Sequence, residues 1–235
     1  KKVDWQLVIL VCSIIIIMIM GVRQSLGLFL DPITSFMKSG KEFFSFAIGV
    51  QAIIWGLVTF FLGILIDKLG PQKVLAFGII SYSSGIFLMS NPTSEFVLFS
   101  ATTLMGFGLG GAGMATMVSI AGKVAPVNKR SLAMGLVAAA ASFGQFAVVL
   151  PTMWMNKEFG WEVSLVVLAS ISISLLLLLP LLNSTNEKNS NVQDFGNSLQ
   201  QTIMFSLKER NYILLISGFF VCGFHVTFIA LHLPA

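Results

Sequence analysis

Gly63-Ile64-Leu65-Ile66-Asp67-Lys68-Leu69-Gly70-Pro71-Gln72-Lys73 is a short charged stretch between two apolar runs, 44–66 and 74–89. Runs of this kind are of bilayer-crossing length, for which roughly 20 apolar residues are needed. A tight loop carrying one acid, two lysines and a turn glycine at Gly70 therefore belongs at a membrane face, joining two antiparallel spans.

Composition agrees. Hydrophobic residues make up 56% of the chain and charged residues 10%, against about 25% charged in soluble domains. The net charge of +4 comes without a basic stripe interleaved with aromatics, so nucleic acid is not an expected partner; the lipid bilayer is. Cys12 and Cys222 both fall in apolar runs with no metal-ligand spacing, and they read as small core residues. No metal or cofactor is expected.

Six complete spans are expected near 7–30, 44–66, 74–89, 96–118, 132–155 and 163–182, and a seventh from 212 to the end of the sequence. The first is too long for a cleaved signal peptide and no Ala-x-Ala-like site follows it. With a cytoplasmic N-terminus, the inner side carries Lys1, Lys2, Lys68, Lys73, Lys123, Lys129, Arg130, Lys188, Lys208 and Arg210, and the outer side Lys38, Lys41 and Lys157. Ten cations against three orient the chain by the positive-inside rule. The polar stretch 183–211 reads as a cytoplasmic linker, with a surface helix around 198–209.

The pattern Gly63-x-Leu65-x-Asp67-Lys68-x-Gly70-x-x-Lys73 resembles the loop between helices 2 and 3 of the major facilitator superfamily. That resemblance implies an all-α, polytopic cell-membrane protein. Residues 1–182 would form the six-helix N-terminal bundle, 183–211 the linker, and 212–235 the first helix of a C-terminal bundle most of which lies beyond this sequence. It also implies a secondary transporter that works by alternating access rather than an enzyme. Gly63, Asp67, Lys68, Gly70 and Lys73 would act in conformational gating, with Lys129 or Arg130 as partners for Asp67.

Further on, Asn128-Lys129-Arg130-Ser131-Leu132-Ala133-Met134-Gly135 is similar to the fifth-helix signature of the monocarboxylate porter branch. It departs from that signature at Ala125 and Pro126, where an aromatic pair is usual, and the branch's helix 1 signature is not visible around Val3 to Leu10. The antiporter-type Gly-Pro-x-x-Gly-Gly is absent from the fifth span. This resemblance implies a small organic anion as substrate and protons as coupling ion. The alternative is an exporter of drugs or other metabolites.

Within the spans, Gly21-Val-Arg23-Gln-Ser25 followed by Pro32 aligns, at an offset of 202, with Gly223-Phe-His225-Val-Thr227 followed by Pro234. Both fit Gly-x-Arg/His-x-Ser/Thr-x6-Pro, and the match pairs the first helix of each expected half. Arg23 lies about five residues, roughly 7 Å, outward of the midpoint of the expected first span. A charge at such a position costs about 2.5 to 3.5 kcal/mol, so it either faces a cavity or snorkels to the headgroups. In a cavity its guanidinium would hold a carboxylate through two parallel hydrogen bonds, with Gln24 and Ser25 as neutral donors. His225 is either a packing hydrogen-bond partner or a group that exchanges a proton near neutral pH. If the repeat is real, Arg23 and His225 face one shared space, with Thr227 beside His225.

Gly106-Phe-Gly108-Leu-Gly110-Gly111-Ala-Gly113 matches a Gly-x-Gly-x-x-Gly nucleotide fingerprint in form, but neither the required strand nor a soluble helix is available there. Small residues at this spacing bring membrane helices close together. Asp31, Glu42, Glu95, Glu158 and Glu162 all lie at or beyond outer span ends, and no nucleophile, metal-ligand set or paired acid occurs at mid-depth.

Overall fold

The computed structural model describes residues 5–185 and 209–232. The expected linker helix, together with Lys1, Lys2, Lys188, Lys208 and Pro234, lies outside the described residues. Among the described residues every regular element is helical. Six helical segments are long and apolar enough to cross a membrane: Trp5–Met37, Lys41–Gly63, Pro71–Met89, Glu95–Val124, Val127–Phe159 and Trp161–Leu182. A further helix runs over Arg210–His232 and packs against the turn Leu26–Phe29. Helices are the only open-ended structure that satisfies every backbone group without water, which is why such uniformly apolar segments take this form.

Several spans are longer than their apolar runs, and each break within them has a local cause. The first is α-helical over Trp5–Ser25, becomes a 3-10 turn at Leu26–Phe29 and resumes over Leu30–Met37. Pro32 has no N–H to offer the Leu28 carbonyl, and the Ser25 hydroxyl donates back to the Gly21 carbonyl at 3.0 Å, a bond that bends helices. In the fifth span Pro151 likewise withholds a donor from Ala147, and the helix divides there into Arg130–Ala147 and Val149–Phe159. The fourth span breaks at Gly113, whose ψ of −171° is extended. The Gly110 carbonyl freed by that break accepts from the Thr116 hydroxyl at 3.2 Å.

The two tightest turns share one geometry. Gly70 joins the second and third spans with φ 85° and ψ 156°, and Gly160 joins the fifth and sixth with φ 83° and ψ 162°. This region of backbone space is essentially open to glycine alone. Pro71 follows Gly70 at the first position of its helix, where a missing N–H is harmless. The two hairpins lie 90 residues apart, as Trp5 and Glu95 also do at the starts of the first and fourth spans. Three spans followed by three more in inverted sense is the nested repeat of membrane transporters.

The fourth span lies between the second and third, the first packs on the fifth, and the third also meets the sixth. Glycines allow these close crossings. A Cβ on Gly78 would sit 2.7 Å from the Ala112 nitrogen, one on Gly108 2.6 Å from Tyr82 Cα, and one on Gly21 2.6 Å from the Gly144 carbonyl oxygen. The glycine-rich run of the fourth span is therefore packing surface. Phe46, Ile53, Leu57 and Phe60 form an exposed apolar stripe on the second span.

Candidate functional site

Arg23 stands two residues past the midpoint of the observed first span, Trp5–Met37, closer to mid-depth than the shorter expected span implied. It is half-buried. Its guanidinium carbon lies 4.9 Å from the centroid of the Trp55 ring on the second span, within the range of a cation–π interaction. One turn earlier on the same helix, the Ile19 carbonyl accepts the Tyr82 hydroxyl at 3.1 Å. That bond ties the first span to the third, and Tyr82 is near enough to Arg23 to interact with it electrostatically.

Trp55 also forms part of a cleft of about 600 Å³. Ala52, Gly56 and Thr59 continue its wall on the second span, and Met114, Ala115 and Val118 face them from the fourth, just past the break at Gly113. A Cβ on Gly113 would lie 3.2 Å from Trp55 Nε1, so the break and the indole fit against each other. The arrangement is a cation resting on an aromatic wall beside an otherwise apolar, open cleft.

The neighbours of Arg23 on its own helix point elsewhere. Ser25 is fully buried and its hydroxyl donates to the Gly21 carbonyl of its own helix. Ile17, Gly21 and Gln24 share a face, and Gly21 and Ile17 meet Gly144 and Val148 of the fifth span. Gln24 is thus directed toward the fifth span and away from Trp55; its Oε1 is buried without a hydrogen-bond partner. His225 is exposed on the helix Arg210–His232, and the side chain of Thr227 lies outside the described residues. Cys12 is buried as expected, whereas Cys222 is exposed and is no core residue.

At the hairpin between the second and third spans, Gly63 is open, with nothing within 4 Å of a Cβ built on it, and Gly70 makes the positive-φ turn. Lys68, Lys73, Lys129 and Arg130 are exposed, and the side chain of Asp67 lies outside the described residues, as does its expected pairing. The Lys129 ammonium sits 5.4 Å from the Trp5 ring centroid, and Gln72 Nε2 donates to the Leu179 carbonyl at 2.7 Å, beside Pro180. The hairpin thus holds the sixth span through Gln72. At the opposite end of the bundle Lys41 pairs with Asp31.

Trp5, Gln51, Trp55, Gln72 and Tyr82 were not singled out from the sequence. For Trp55 a signal existed: tryptophans in membrane proteins concentrate at the interfaces, and this one stands in mid-span. For Gln51 it was an amide in an otherwise apolar run.

The model of the Major Facilitator Superfamily matches residues 8–235, and the chain belongs to that family. It is 23% identical to an uncharacterized MFS-type transporter, YcxA, of Bacillus subtilis (strain 168), over 90% of this chain and 52% of that protein. It is 26% identical to the agnestins efflux protein AgnL12 of Paecilomyces divaricatus, over 69% of this chain and 36% of the relative. With the vesicular acetylcholine transporter of Drosophila melanogaster the identity is 32%, over 61% of this chain and 26% of the relative. The chain spans at most about half the length of these relatives. It is a multi-pass membrane protein of a transporter family.

Proposed function

We propose that this chain is part of a secondary active transporter that moves small organic anions of the monocarboxylate kind by alternating access. The observation that carries the reading is Arg23 held over Trp55 at mid-depth beside an open cleft. A fixed guanidinium in surroundings poor in polar groups favours an anion, and its planar fork suits a carboxylate. In this reading residues 1–182 form the N-terminal bundle, 183–211 the linker and 212–235 the first helix of the C-terminal bundle. The N-terminus is cytoplasmic and the cell membrane is the site of action. His225, with Thr227, lines the far side of the path and exchanges the coupling proton. Gly63, Asp67, Lys68, Gly70, Lys73, Lys129 and Arg130 govern the inner gate.

Reconstitution of the full-length protein in proteoliposomes, with labelled short-chain acids and an imposed pH gradient, tests this. Arg23→Gln should weaken half-saturation roughly ten- to hundred-fold, the equivalent of about 1.5 to 3 kcal/mol for a hydrogen bond to a charged group. Unchanged half-saturation for every acid tested would show that Arg23 serves the helix packing alone. A second reading, export of drugs or other metabolites, takes support from the relative named as an efflux protein and from the apolar cleft wall. Extrusion of organic cations with no acid uptake would select it.

A further inference from the structure

The second and fourth spans pack tightly before the break at Gly113 and stand apart at it. A Cβ on Gly106 would lie 3.0 Å from Ile54 Cγ2, and one on Gly110 2.6 Å from Val58 Cγ1. Past those contacts the seam opens into the cleft of about 600 Å³, with Gly56 on one wall and Met114, Ala115 and Val118 on the other. Small-molecule sites have volumes of roughly 300 to 1,000 Å³ and mostly apolar walls.

A small residue keeps the cleft open. Gly56 is exposed, with nothing within 4 Å of a Cβ built on it, so its missing side chain is empty space and no packing contact. Among the described lining residues Thr59 supplies the one hydroxyl, and it donates to the Trp55 carbonyl at 2.7 Å. The side chains of the wall therefore suit an apolar occupant.

Trp55 belongs to the cation and to the cleft alike. Its ring forms part of the cleft wall, and the Arg23 guanidinium carbon lies 4.9 Å from the centroid of the same ring. An acid of two or three carbons held at Arg23 leaves the walls to water. A carboxylate with a larger apolar body covers them and is favoured by the area removed from water. An aromatic body fits best, because the Trp55 indole and the Met114 thioether both make favourable contacts with an aromatic ring.

We infer that this cleft is the subsite for the apolar body of an aryl-substituted carboxylate whose charged end is held at Arg23, and that Gly56 sets the size of that body. This rests on the carboxylate reading of Arg23.

The test is uptake of propionate and 3-phenylpropionate by the full-length protein in proteoliposomes, with uptake by protein-free vesicles subtracted. The wild type should show half-saturation about tenfold lower for 3-phenylpropionate, as partial burial of a phenyl ring supplies. Gly56→Leu puts a side chain into the cleft and should bring the ratio of the two half-saturations close to one. Gly49→Leu adds the same side chain at another open glycine of this helix, about 10 Å along the axis and not part of the cleft wall. It should leave the ratio at its wild-type value. Equal half-saturation for the two acids in the wild type, a ratio unmoved by Gly56→Leu, or a ratio moved as far by Gly49→Leu would overturn the subsite while leaving Arg23 in place. A marked fall in membrane-inserted yield or melting temperature for Gly56→Leu would show that a further helix fills the cleft, and the inference fails then too. No uptake of either acid, or half-saturation for both unchanged by Arg23→Gln, would overturn the carboxylate reading and this inference with it.

Discussion

The glycines of the second and fourth spans are the same residue used in opposite circumstances. In the most apolar stretch of the second span 22% of residues are buried, against 67% in the fourth. Gly49, Gly56 and Gly63 have nothing within 4 Å of a built Cβ. Gly106, Gly108 and Gly111 would drive theirs into backbone or Cβ atoms of the second and third spans. A run of glycines in a membrane helix thus signals close packing only where another helix is present to be approached. The row on the second span, with its spacing of seven, meets no helix among the described residues.

The contrast is broken most forcefully in the fourth span. Gly108→Val and Gly111→Val should destabilise the bundle by about 3 kcal/mol or more, since the neighbour that must yield is backbone. Membrane-inserted yield and melting temperature in detergent read this, and wild-type values for both variants would refute the packing.

A smaller effect separates strain from crowding. Gly160 has nothing within 4 Å of a built Cβ, yet its φ is 83°. Gly160→Ala should still cost about 1 to 3 kcal/mol, through backbone conformation alone. Gly70→Ala should cost a similar amount at the opposite face, and a melting temperature unmoved in both would show that neither turn needs a glycine.

The smallest effect is expected at Gly49. Gly49→Ala fills empty space on a helix, so it should be neutral or stabilising by up to about 1 kcal/mol, the difference in helix propensity. A marked loss of stability in the full-length protein would show that another helix packs against this face.

The spans, their order and the two-lysine hairpin were legible in the sequence because hydropathy is a local sum. A run of apolar residues must satisfy its own backbone whatever surrounds it. Membership of the family followed from the same local features. Arg23 stood out as well, because a charge in an apolar run is conspicuous without any knowledge of its neighbours. That the Ser25 hydroxyl turns back to its own helix, and that Cys222 is exposed, could not be read there, because an apolar run does not reveal which of its faces is covered. The extension of the first and fourth spans past their apolar runs escaped notice for a related reason: their end turns include charged residues such as Asp31 and Lys123.

Only the tertiary structure decided what Arg23 rests on and which glycines are packed and which are bare. Each of those facts depends on the rotation and register of one helix against another. That relation is set by the summed shapes of many contacts across the seam, and no single stretch of sequence contains it.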